Sequence, residues 1–144
     1  MEKLFEYLNH IQSLLDQIFT ITDNQTTILL TLTGAEGEAE NEALDMVTQM
    51  ADYKEELTKE LSSAEEAFQA YYEAHKELVE GEVHVRDMQS LVKGVLDGKQ
   101  AVVAQEQKNL LLLQAHSKKK LERVQVPQNP RHAASAYRKQ QKKT

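Results

Sequence analysis

Five histidines, His10, His75, His84, His116 and His132, are the side chains of this 144-residue chain best suited to proton transfer or metal ligation. Their spacing argues against both. No acidic residue stands three positions before any of them, so the Glu-x-x-His pairing of di-iron bundles is missing. The His-Glu-x-x-His zinc signature is missing too. Glu80, Glu82 and His84 form a cluster of metal-ligand composition, but a solvated helix start accounts for the same three residues. There is no cysteine, no phosphate-cradling glycine loop and no Gly-x-Ser-x-Gly elbow. The expectation is a protein that is not an enzyme, holds no cofactor and no metal, and works by binding other proteins.

The elements that would position any binding surface are helices. Both prolines, Pro127 and Pro130, fall in the last eighteen residues, and proline is the strongest helix breaker. A first helix is predicted over 2–33, from Leu4, Leu8, Ile11, Leu15 and Ile18 at spacings of 4 and 3, with Tyr7, Leu14, Ile21 and Ile28 widening the stripe. Thr20, Thr22, Thr26 and Thr27 are poor helix formers, which predicts a kink or fraying over 20–27. Gly34 to Glu42 reads as a loop whose acids favour the helix start that follows.

The second helix is predicted over 42–79. Its seam is Ala43, Val47, Met50, Lys54, Leu57, Leu61, Ala64, Phe68, Tyr71, His75 and Leu78, a heptad pattern held for five repeats. Phe68 and Tyr71 read as core and Tyr72 as outward-facing. Gly81 sits where a helix C-terminal cap is common. The third helix is predicted over 83–123, with a seam through Val85, Met88, Val92, Val95, Lys99, Val102, Glu106, Asn109, Leu113 and His116. Gly94 and Gly98 weaken it by about 1 kcal/mol each relative to alanine. In exchange they let another backbone approach, or let the helix bend. Short connections between long helices give an all-α, elongated, antiparallel three-helix bundle over 1–124, with coiled-coil-like packing.

Three features of this frame carry function. Polar residues interrupt the seams: Lys54 and His75, then Lys99, Glu106, Asn109 and His116. They snorkel out at the edge of a narrow bundle, set its register, or mark where part of a seam faces a partner instead of a sister helix. Leu110, Leu111, Leu112 and Leu113 place apolar groups on every side of one turn, so either one leucine is simply left exposed or the run forms an edge for an amphipathic partner helix. Finally, charge is split. Residues 1–116 hold 8 basic and 22 acidic side chains, residues 117–144 hold 9 and 1, and the whole chain is −6. The basic tail, 125–144, is a solubility tail, a docking peptide for an acidic partner, or a binder of nucleic acid or acidic lipid. The acidic body repels phosphate, so no nucleic-acid partner is expected. No apolar run approaches the ~18 residues that span a bilayer. Glu2 and Glu6 do not read as a secretory signal, so a cytoplasmic location without membrane insertion is expected.

The segments EALDMVTQMADYKEELTKEL (Glu42 to Leu61) and VLDGKQAVVAQEQKNLLLLQ (Val95 to Gln114), with the N-terminal helix, resemble the flagellar type III export chaperones of the FlgN/FliT class. Lys54 matches that class's basic residue in the middle of the second helix. Gln105, Gln107, Lys108, Asn109 and Leu110 match its Gln/Asn-rich turn before leucines. The glycine-bearing third helix and the long basic end depart from many relatives. The resemblance implies a cargo, a hook-associated (hook–filament junction) or filament-cap protein, held through a helical terminal segment. Here Val102, Val103, Leu110, Leu111, Leu112 and Leu113 would bind it. It also implies docking on an export-apparatus protein through the C-terminal region, with Tyr137, Arg138 and Lys139 as the contact. The competing expectation is a structural coiled-coil adaptor or scaffold that self-associates, as a homodimer or larger species, with no export role.

Overall fold

The structure, a computed structural model, describes residues 1–125. Tyr137, Arg138 and Lys139 lie outside the described residues. Three helices account for most of them: α1 (Glu2–Thr31), α2 (Glu38–Ala74) and α3 (Glu82–Gln125). Single 3-10 turns, Leu32–Gly34 and Lys76–Leu78, follow α1 and α2. No strand occurs among the described residues, and no helix among them is long and apolar enough to cross a membrane. The chain divides into a first unit, Met1–Asn109, and a second that begins at Leu110 on α3.

Within the first unit, α1 is the central helix. Leu4, Leu8, Ile11, Leu15 and Ile18 are each 4% exposed or less. With Leu57, Leu61 and Ala64 of α2 and Met88 and Val95 of α3 they form one apolar cluster. Each fully buried leucine or isoleucine contributes roughly 1.5–3 kcal/mol relative to exposure. Contacts give the helix directions. Tyr7 meets Tyr71 at 5.7 Å between ring centroids, and Gln25 bonds the Val47 carbonyl at 3.0 Å, so α2 runs antiparallel to α1. Gln12 and Leu15 lie against Gly98, and Thr26 against Gln105, so α3 runs parallel to α1.

Both α3 glycines face α1. A Cβ at Gly98 would lie 3.3 Å from Gln12 Nε2 and 3.4 Å from Leu15 Cδ1, and one at Gly94 would lie 3.5 Å from Gln12 Oε1. The nearest atoms at these positions are therefore side chains of α1, where another backbone had been expected.

Several local expectations are corrected. α1 is helical without a break through 20–27, with no frayed segment. The threonine hydroxyls bond backwards to the helix itself: Thr20 to the Asp16 carbonyl at 2.9 Å, Thr22 to Ile18 at 2.7 Å, Thr27 to Asp23 at 3.3 Å. α2 starts at Glu38, inside the predicted loop, after Gly37 takes a positive φ of 64° that suits glycine. Glu38 and Glu40 fall in its first turn, where negative charge is favoured. α2 also stops at Ala74, although its heptads continue. At His75 the backbone leaves the helical region (φ −132°), and the ring stacks on Tyr71 at 4.1 Å with Nδ1 3.0 Å from the Tyr71 carbonyl. Gly81, at φ 90°, therefore precedes α3 and does not cap α2. Tyr72 is half-buried and stacks on Phe68 at 6.2 Å, so it does not point freely outward.

Candidate functional site

The residues that interrupt the seams divide into two kinds. Lys54, Glu106 and Asn109 converge on the threonine-rich turn of α1. Lys54, whose side chain is 12% exposed, donates to Gln25 Oε1 at 2.7 Å and to Thr22 Oγ1 at 3.3 Å, and it pairs with the Glu106 carboxylate. Gln25 in turn donates to the Val47 carbonyl of α2. Asn109 donates to the Thr22 carbonyl at 3.0 Å and accepts from the Thr26 hydroxyl, which itself accepts from Gln105 at 2.6 Å. Thr22, Gln25, Thr26 and Asn109 are all 5% exposed or less. No buried side-chain nitrogen or oxygen among the described residues lacks a partner.

This is a polar layer through all three helices, and it is closed. Every group that Lys54 would leave behind is held by it, so Lys54 does not snorkel. Lys99 is of the other kind. It is 41% exposed and reaches Glu65 of α2 at 2.8 Å across the edge of the unit. Surface pairs of that sort contribute about 0–1 kcal/mol.

Among the described residues no three His, Asp or Glu side chains gather as a metal set. Of the cluster singled out in the sequence, Glu82 pairs with Arg86 at 3.4 Å and His84 turns its Nδ1 to the Glu80 carbonyl at 3.2 Å. Several large apolar side chains are exposed. Val103 is 56% exposed on the first unit, while Val102 packs half-buried against the core. On the second unit Leu110 and Leu111 are 54% and 65% exposed, and Leu112 and Leu113 are half-buried. The four leucines are thus not equivalent, as a helix with leucine on all sides requires.

An open groove of about 590 Å³ also lies between α2 and α3 in the first unit, lined among others by Phe68, Tyr72, Met88 and Val92. Sequence reasoning missed it. The signal was present in Tyr72 and Leu96, apolar residues that fall off the two seams.

No protein-family model, curated protein or solved structure matches this chain.

Proposed function

We propose that this chain is an export chaperone of the flagellar type III class. It binds a helical terminal segment of a hook-associated or filament-cap protein, prevents its premature assembly and delivers it to the export apparatus in the cytoplasm. The observation that supports the reading best is the exposure of Leu110 and Leu111, at 54% and 65%, on a helix already supplied with an inward seam. They offer an amphipathic helix the apolar side chains it needs. In this reading the helices pack in coiled-coil fashion as an elongated up-down-up bundle. The basic segment 125–144 is a separate docking peptide, contacting an export-apparatus protein through Tyr137, Arg138 and Lys139.

The test is affinity capture from the native cell with the full chain and with a chain ending at Pro127, read by mass spectrometry. The expected result is a filament-junction or cap protein with both, and an export-apparatus protein with the full chain alone. Capture of the protein itself and nothing else would overturn the reading. That outcome would favour a self-associating coiled-coil scaffold, which draws on the same exposed leucines.

A further inference from the structure

The first unit has an apolar trough that its own three helices leave open. Phe68 and Tyr72 of α2 and Val85, Met88, Val92 and Leu96 of α3 line it. Leu96 and Val85 remain 55% and 37% exposed. Past Phe68, Val92 and Leu96 the concavity continues toward Ser62 and Lys99. From Val85 to Lys99 α3 advances about 21 Å at 1.5 Å per residue, the length of some four turns of a docked helix.

Charge selects the occupant. The body of the chain is acidic, with 22 carboxylates against 8 basic groups over residues 1–116. Yet the stretch of trough beside Tyr72 and Met88 is lined by Lys76 and Lys93 and by no carboxylate. Lys76 shares its charge with Glu73 at 3.1 Å, and Lys93 is exposed. The continuation is the reverse. It is lined by Glu65, Glu66 and Lys99, and Lys99 is engaged by Glu65. Glu66 remains exposed beside them.

We propose that this trough seats an amphipathic helix of a partner protein, about four turns long, with an apolar face and opposite charges at its two ends. Its acidic end lies against Lys76 and Lys93 and its basic end against Glu65 and Glu66. The tail of this chain does not fit that description, because residues 126–144 contain five basic residues and no acid. The inference rests on reading the chain as a binder of helical segments, and it gives that activity a surface separate from the leucine run. Apolar area supplies the affinity and the charge order supplies the choice between partners.

Three synthetic peptides of about eighteen residues, sharing one apolar face, test it by fluorescence anisotropy on the full chain. One carries Glu at its N-terminal turn and Lys at its C-terminal turn, one Lys at both, one Glu at both. The expected result is binding of the first peptide about fivefold tighter than either other, since a few exposed ion pairs change affinity by no more than that order. Lys76→Glu with Lys93→Glu removes the advantage, and Leu96→Glu weakens every peptide about tenfold. All three side chains are exposed, so circular dichroism should not change. No binding by any peptide, equal binding by all three, or indifference to Leu96→Glu overturns the proposal. So does a homodimer, seen by light scattering, that Leu96→Glu dissolves, because the occupant would then be a second copy. These failures leave the capture experiment on the native cell untouched, so the two readings fall separately.

Discussion

Lys54→Met isolates the polar layer, because methionine keeps an unbranched apolar stem, with sulfur in place of Cδ, and lacks the terminal ammonium group. Three partners lose it. Gln25 Oε1 loses its 2.7 Å donor in a residue 4% exposed, and a buried acceptor left unmatched costs about 1–3 kcal/mol. Thr22 Oγ1 keeps its bond to the Ile18 carbonyl and loses only the longer contact at 3.3 Å. The Glu106 side chain is 44% exposed and turns to water, so screening limits its loss to about 1 kcal/mol or less. The buried methionine methyl returns up to about 0.8 kcal/mol.

The variant is thus expected to be less stable by about 1–3 kcal/mol. With a urea dependence of about 1–3 kcal/mol per molar, a loss of 2 kcal/mol moves the unfolding midpoint down by roughly 1 M. A midpoint that stays in place or rises would refute the account of the layer as a closed network. A second arm sharpens the test. Replacing the charged part of the layer with its amide partner (Gln25→Leu, Lys54→Met, Glu106→Leu) removes charge and partners together, and such replacements are often neutral or stabilising. The triple variant should regain the lost stability and still show a single set of amide resonances, because the Asn109 bonds to Thr22 and Thr26 continue to hold the register of α3.

The remaining predictions use the same unfolding assay. Gly94→Ala should stabilise by about 0.5–1 kcal/mol, since alanine is the better helix former and its Cβ would meet Gln12 Oε1 at an ordinary 3.5 Å. At Gly98 the same gain is offset by the 3.3 and 3.4 Å approaches to Gln12 and Leu15, so Gly98→Ala should be close to neutral. Gly37→Ala should cost about 1 kcal/mol, because the φ of 64° is unfavourable for a side chain. Leu14→Ala, at a position 2% exposed, should cost about 2–5 kcal/mol. Leu111→Glu, at a position 65% exposed, should leave the midpoint within about 0.5 kcal/mol of wild type while reducing cargo capture from cells.

Helix identity was legible because long heptads need only local periodicity. Along the α2 seam, from Ala43 to His75, no position is exposed, and the row first reaches the surface at Leu78, beyond the helix end. What periodicity cannot carry is the identity of a polar partner on another helix. Lys54, Glu106 and Asn109 stood out as interruptions, but their matching groups are Thr22, Gln25 and Thr26; the two threonines were read as weak helix formers and Gln25 was not singled out. Propensity prices a threonine against an isolated helix, where most of the stability of a folded helix is absent. In the folded unit the same threonines accept bonds from Lys54 and Gln105, and their backward hydroxyl bonds leave the helix unbroken. The end of α2 was illegible for a similar reason, because the stacking of His75 on Tyr71 halts the helix while leaving the apolar pattern intact.

The polar layer also decides what α3 can bind. Val95, Val102 and Asn109 recur every seven residues and turn inward, the first and last of them buried. Leu96 and Val103, one position later in the same heptads, are 55% and 56% exposed. One residue is about 100° of rotation about a helix axis, so a turn of α3 by about that angle would exchange the two apolar rows. A slide of one heptad, about 10 Å, would keep the same row inward. Neither move keeps Asn109 on the Thr22 carbonyl and Glu106 on Lys54. The layer therefore ties the rotation and the height of α3 to α1 and α2. The exposure of Leu96 beside the trough, and of Val103 beyond it, is then a consequence of bonds made on the opposite face of the same helix.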